Sequence, residues 1–197
     1  MVRLVAGPLL ALLGCAGPEP VPVLANPPRN LAVVLAAESA APAPVSDAIA
    51  VELDGLLRER GYRVAPLPGD APASLRGAAG LDRVPAEALA AARAAGIDGL
   101  LLVQVARWDA SWGSAGLNEF RSQVHYRLVD TATGALLWSR DSRSRYDAVQ
   151  DSRVLSDESG QGFYRWESRS LYATERDVVR ALQRDLVGRM PYGPGAR

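Results

Sequence analysis

The sequence predicts an α/β domain. A βαβαβ unit is extended by an antiparallel β-hairpin into a mixed five-stranded sheet, with helices on both faces and a C-terminal helix packed on one of them. Three observations carry this expectation. The strand-length apolar run Asn30-Leu-Ala-Val-Val-Leu-Ala-Ala37 precedes an amphipathic helical pattern. The run Gly99-Leu-Leu-Leu-Val-Gln-Val-Ala-Arg-Trp108 follows an alanine-rich helical segment. Arg121 to Val129 then alternates in polarity, and Asp130-Thr-Ala-Thr-Gly134 leads it into Ala135-Leu-Leu-Trp-Ser-Arg140. A glycine-containing connection of that length between β-type runs is a hairpin signal. Strands joined through helices pair in parallel, and directly joined ones pair antiparallel. The expected strand order is 2-1-3-4-5.

The chain begins with a short basic start, Met1-Val-Arg3, and an apolar stretch from Leu4 to Leu13. That stretch is too short to span a bilayer and suits a signal-peptide core. It ends in Leu12-Leu13-Gly14-Cys15, which looks like a bacterial lipobox. Residues 1–14 are therefore expected to be a lipoprotein signal peptide, cleaved between Gly14 and Cys15. The Cys15 thiol, a soft nucleophile, would take palmitate-type acyl chains that anchor the chain to a membrane. Residue 16 is Ala and not Asp, which by likeness to sorted lipoproteins implies the outer membrane, facing the periplasm. Cys15 is the only cysteine, so packing without disulfides must hold the fold. Residues 15–29 contain Pro18, Pro20, Pro22, Pro27 and Pro28. Such density favours an extended tether, reaching up to roughly 45 Å at ~3.1 Å per residue.

Residues 30–190 read as a single domain. The first strand is apolar on both faces, as a central strand is. Ala41 to Pro44 reads as a loop and Ser46 as a helix cap, with Val45 outside the helix. From Asp47 to Arg60, Ile49, Leu53, Leu56 and Leu57 fall on one face. Gly61 stands where a left-handed C-terminal cap is needed. Tyr62 to Leu67 is the second strand, with Pro66 marking an edge or an end. Pro68 to Gly80 is loop-like. Pro85 opens an alanine-rich helix that Gly96 closes. After the third strand, Asp109 to Glu119 reads as a long polar connection carrying Trp112. In the fourth strand Val124, Tyr126 and Leu128 face one way, and Gln123, His125 and Arg127 face the other.

Residues 141–169 are poorly defined, rich in Ser, Arg, Asp and Gly. They read equally as a continuing ribbon, a long loop, or a segment ordered on binding. Thr174, with Asp177 three residues on, opens a last helix whose stripe is Val178, Val179, Leu182, Leu186 and Met190. Pro191 ends it, and residues 191–197 are expected to be a flexible tail.

The residues offer little chemistry. Acidic and basic residues balance at 22 each, which gives no electrostatic case for nucleic acid. All the basic residues are arginine. The single histidine, His125, sits mid-strand without metal-ligand spacing, and reads as a solvated or hydrogen-bonded strand residue. Asp147, Asp151, Asp157 and Glu158 lack calcium-loop spacing. The glycines at 113 and 116 do not lead a strand into a helix in the phosphate-loop manner. No catalytic set, metal site or cofactor is expected. The candidate partner contacts are Trp108, Trp112 and Trp166, with Arg143, Arg145 and Tyr146 as a surface for an anionic partner. Trp138 reads as core because it alternates with Leu136.

Three features carry a family resemblance. They are the lipobox, the run Gly61-Tyr-Arg-Val-Ala-Pro66, and the pairing of Gly96-Ile-Asp-Gly-Leu-Leu-Leu102 with Tyr126-Arg-Leu-Val-Asp-Thr-Ala-Thr-Gly-Ala-Leu-Leu-Trp138. The chain resembles a family of bacterial outer-membrane lipoproteins of unknown function, similar in fold to the N-terminal domain of TolB and the core of the curli-secretion lipoprotein. The resemblance spans roughly Asn30 to Tyr146. It departs at Ala36-Ala37-Glu38-Ser39, where the family commonly has a Pro-Pro-x-Asn turn, and it has no counterpart after Tyr146. It implies a part in an envelope complex, with other envelope proteins as partners. Relatives by fold form rings, but no residue here specifies an oligomeric state. The expected function is a non-enzymatic, outer-membrane-anchored periplasmic lipoprotein, structural or adaptor in an assembly or export complex. The alternative is a binding module for peptidoglycan or glycolipid that activates a cell-wall synthase.

Overall fold

The structure, a computed structural model, describes residues 21–36, 40–67, 84–113, 116–147, 155–156, 162–163 and 174–196. Its centre is the expected mixed five-stranded sheet. Strand β1 (Asn30–Leu35) pairs in parallel with β2 (Arg63–Val64) on one side and with β3 (Gly99–Gly113) on the other. Antiparallel pairing then adds β4 (Gly116–Asp130) and β5 (Leu136–Asp147), giving the order β2-β1-β3-β4-β5. A separate two-stranded ladder joins β6 (Leu155–Ser156) to β7 (Gly162–Phe163).

Among the described residues, helices α1 (Ala43–Glu59), α2 (Ala86–Ala94) and α3 (Glu175–Arg189) flank the sheet. Alternation along each strand divides the core between two faces. Leu31, Leu101, Val103, Tyr126 and Leu128 pack with Ile49, Leu53 and Leu57 of α1 and with Val179 and Leu186 of α3. On the opposite face, Ala32, Val34, Leu100 and Leu102 pack with Ala88 and Ala92 of α2. Small side chains on α2 let it lie close to the sheet. Glu52 ties α1 to α3 by accepting from Arg176 Nε (3.1 Å) and from Arg180 Nε and Nη2 (3.2 and 3.1 Å). Its Arg180 hydrogen bond, then that from Arg176, holds this carboxyl below its ordinary pKa against an opposing effect of burial. The reciprocal capping box of Thr174 and Asp177 starts α3 as its sequence predicts.

Five expectations are corrected. Helix α1 begins at Ala43, ahead of Ser46, and no side chain caps it. Pro44 is tolerated in the first turn because its missing N–H would have no helical partner there, and Val45 is buried on the core face. Strand β2 is only two residues long, at the sheet edge. The stretch Asp109–Glu119 is not a connecting loop: β3 runs to Gly113 and β4 starts at Gly116. Strand β5 continues to Asp147, so the start of the 141–169 segment is ribbon. Leu136 is 57% exposed, because a register shift between Leu128 and Val129 separates it from the partly buried Trp138.

The sixth difference concerns the C-terminus. Residues Pro191 to Gly195 dock against the turn after α1. Tyr62 Oη donates to Pro191 O (2.9 Å), Gly193 N to Arg60 O (3.0 Å) and Gly195 N to Gly61 O (3.1 Å). The Arg60 guanidinium lies 3.6 Å from the Tyr192 ring centroid and donates to the Gly188 and Met190 carbonyls. These bonds replace the expected free tail, because the last carbonyls of α3 need donors and Arg60 supplies them. Residues 1–20, the stretch 68–83 with the segment read as loop-like from Pro68 to Gly80, and Trp166 lie outside the described residues.

Candidate interaction surface

Among the described residues, β1 has no pairing with β3 beyond Leu35 apart from Ala36 N to Val103 O and Ala40 N to Val105 O. Among these residues too, β3 pairs from Arg107 onward with β4 alone, and β5 pairs with β4 alone. The far part of the sheet is therefore a three-stranded ribbon with two edges open among the described residues. A fifteen-residue strand such as β4 spans about 50 Å at ~3.4 Å per residue.

The inner face of the ribbon is apolar. A register shift between Val105 and Arg107 keeps Trp108 and Ala110 on the same face as Phe120. Trp108 meets Phe120 edge-on, with centroids 4.8 Å apart at 75°. Leu117, Phe120 and Val178 form a third apolar cluster, with Trp108, Ala110 and Leu182 packed against it. Trp108 is thus largely a packing residue and not the free contact expected, although its indole N–H is buried without a hydrogen-bond partner among the described residues. Trp112 remains 37% exposed near the ribbon tip. Tyr146 stands opposite Phe120 in register.

The outer face is polar, and its residues form rows across the strands. Arg107, Gln123 and Arg143 make one row; Asp109, Arg121 and Arg145 make the next. Arg107 pairs with Asp109, and Arg121 with Glu119 at 2.6 Å. Arg143 and Arg145 are exposed and make no ion pair with a described residue. Arg145 faces Arg121 directly, an arrangement that costs a few tenths of a kcal/mol. At the ribbon's β3 edge, an open groove of about 490 Å³ is lined by Trp108, Asp109, Ala110, Ser111, Glu119 and Arg121.

His125 lies in the adjoining row, opposite Gln104 and Asp141. Its Nδ1 is 2.8 Å from Asp141 Oδ1, and Arg127 Nη1 reaches the same oxygen at 2.8 Å. The His125 contact first, then Arg127, holds the Asp141 carboxyl below its ordinary pKa, again against desolvation. The other imidazole nitrogen, Nε2, faces Gln123 Nε2 at 3.2 Å. With Nδ1–H donating to Asp141, Nε2 accepts from the amide. This is the carboxylate–imidazole half of a nucleophilic triad, but an amide fills the place a Ser or Cys would take. His125 is hydrogen-bonded on the strand face, as the sequence implies. Its partner Asp141 is the residue that sequence reasoning missed. Among the described residues, no three His, Cys, Asp or Glu side chains stand together to hold a metal.

No family model and no curated protein matches the chain. Solved structures do. A PelC dodecamer from Paraburkholderia phytofirmans superposes with a TM-score of 0.54 at 19% identity, covering 91% of this chain and 96% of that one. A hypothetical protein from Chlamydia trachomatis gives 0.52 at 13% identity, over 82% and 94% of the two chains. A lipoprotein from Neisseria meningitidis gives 0.49 at 19% identity, over 82% and 99%. At these identities the likeness is one of fold.

Proposed function

We propose that this chain is a non-enzymatic envelope lipoprotein, anchored in the outer membrane through acylated Cys15, that serves as a structural or adaptor component of an assembly or export complex. The observation that carries the reading is the ribbon. Three long strands run on beyond β1, with one face packed on α3 and, among the described residues, both edges open. Unpaired strand edges are templates for pairing with another chain. The like charges of Arg121 and Arg145 bring the fold no stability, and fit a surface that meets an acidic partner. PelC, which shares the fold, assembles as a dodecamer, and assembly of this chain with copies of itself belongs to the reading. The lipobox supports it, as does the resemblance to lipoproteins similar in fold to the TolB N-terminal domain and the curli-secretion lipoprotein core. The His125–Asp141 pair ends on an amide, which supports a non-enzymatic role.

The test is in-cell cross-linking followed by purification of the chain and mass spectrometry. Recovery of envelope proteins, or of cross-linked copies of the chain through residues of β3 and β5, is expected. Recovery of neither above background would overturn the proposal. The second reading, a module binding peptidoglycan or glycolipid, is favoured by the groove in which a tryptophan stands beside Asp109, Glu119 and Arg121. Sedimentation with purified peptidoglycan, lost on Arg143→Ala with Arg145→Ala, would support it over the first.

A further inference from the structure

At the foot of the domain, where the chain enters β1, there is a recess of about 400 Å³. Three arginines line it, Arg29, Arg58 and Arg63, and its wall includes the backbone of Gly61 and Gly195. Arg29 and Arg63 are neighbours because β1 and β2 start side by side: Arg63 N donates to Arg29 O at 2.9 Å. Arg58 comes from the last turn of α1 and is held in place from behind. Its Nε and Nη2 donate to Asp54 (2.8 and 3.0 Å), and Nη2 also to Val64 O (3.0 Å). Asp54 raises the Arg58 pKa through this hydrogen bond.

The carboxylates nearby are engaged elsewhere. Asp54 is taken by Arg58, and Asp98 Oδ2 accepts the backbone N–H groups of Arg29 and Asn30 at 3.2 Å each. Among the described residues, no carboxylate lines the recess. A position near a helix C-terminus accounts for Arg58, which complements the end of α1. It does not account for Arg29 and Arg63, which sit at strand starts, are exposed, and have no ion pair with a described residue. Guanidinium groups gathered in one concavity repel one another unless an anion lies between them, and their planar donor forks match phosphate oxygens.

We propose that the Arg29–Arg58–Arg63 recess is a phosphate-group site whose occupant is the headgroup phosphate of an anionic phospholipid at the surface that holds the chain. The choice of a lipid occupant rests on the anchored reading above; the phosphate chemistry does not. Arg29 is the last residue before β1, so the recess lies where the tether reaches the domain, on the side from which a membrane would be met.

The test is sedimentation of the full chain with phosphatidylcholine vesicles, with and without phosphatidylglycerol. The comparison is between the parent, Arg29→Ala with Arg63→Ala, and a charge-matched control, Arg93→Ala with Arg184→Ala, on α2 and α3 and outside the recess lining. All these side chains are exposed, so circular dichroism should show the fold retained. Binding in excess on anionic vesicles should fall about tenfold or more in the Arg29/Arg63 variant and little in the control. An unchanged excess in the Arg29/Arg63 variant, or an equal fall in the control, would overturn the proposal. A third outcome is that inorganic phosphate saturates the arginine side-chain NMR signals while the vesicle excess survives the double substitution. That would make the recess a free-anion site and overturn the lipid occupant. The anchored reading fails separately, if mass spectrometry of the membrane-fraction protein finds Cys15 without acyl chains. A parent chain that is acylated on Cys15 but shows no excess binding on anionic vesicles would sink only the recess.

Discussion

Replacing Gly61 with alanine probes how the C-terminal segment is built into the fold. Gly61 has φ +90°, and an added Cβ would overlap the backbone of Ala196 and lie 2.8 Å from Gly195 C. The left-handed backbone alone costs an L-residue about 1–2 kcal/mol. Relieving the overlap requires the tail to lift. That forfeits the bonds from Gly193 N to Arg60 O and from Gly195 N to Gly61 O, at roughly 0.5–1.5 kcal/mol each. The expected destabilisation is about 2–5 kcal/mol, or roughly 5–20 °C in Tm for a domain of this size. Urea unfolding followed by circular dichroism measures it, in the full chain and in a chain ending at Pro191. In the shortened chain only the backbone cost remains, so Gly61→Ala should cost about 1–2 kcal/mol there. A coupling of about 1–3 kcal/mol between the two changes is the signature of tail docking. Equal costs in both backgrounds, or a cost under about 0.5 kcal/mol in the full chain, would refute the docked tail.

Leu101 is fully buried between the sheet and the helices, so Leu101→Ala should destabilise by about 2–5 kcal/mol in the same urea assay. Glu52 and Asp141 are both held below their ordinary pKa. The unfolded chain therefore binds protons that the folded one does not, and stability rises with pH through this range. Their contribution is complete above the ordinary carboxylate range, about pH 5, and is lost as pH falls through their lowered folded values. Thermal melts from pH 6 to about pH 3 should show a shallower decline for Glu52→Gln with Asp141→Asn than for the parent. Tyr62 moves the other way. Burial pushes its pKa up to about 12, so its stabilisation holds below about pH 10 and is lost as pH rises toward 12. Ultraviolet titration at the phenolate band should show a late-titrating tyrosine component that is lost in Tyr62→Phe.

Much of the fold was legible because its signals are local. The runs at Asn30 and Gly99, the stripe Ile49–Leu53–Leu57 and the Thr174–Asp177 box each lie within a turn or two of chain, and each forms. The ribbon was less legible. Of its tip residues only Ala110, Leu117 and Phe120 face the inner cluster, while Asp109, Ser111 and Glu119 face water. So few apolar positions do not establish a period of two. The His125–Asp141 pair was hidden by one residue. Counting outward from the Asp130–Gly134 turn in the register of Val129 and Leu136 places His125 opposite Arg140. The shift between Leu128 and Val129 brings Asp141 there instead, and a one-residue slip exchanges the faces of a strand. Nothing in the local sequence announces that bulge. The tail was misread for a related reason, since Pro191–Gly195 has the composition of a free end and its partners lie some 130 residues away in the chain.

The two ends of the described fold come together: Arg29 and Gly195 line the same recess, while Gly113 and Gly116 face each other at the far end of the ribbon. The domain is therefore a loop of chain with its natural opening at the foot. A short peptide joining tail to first strand, with new ends cut between Gly113 and Gly116, would give a circular permutant that keeps every pairing of the sheet. A fluorophore or affinity handle on such a permutant would report from the ribbon tip. The same handle placed after Gly195 reports from the base and crowds the arginines there, so the two placements view opposite poles of one molecule.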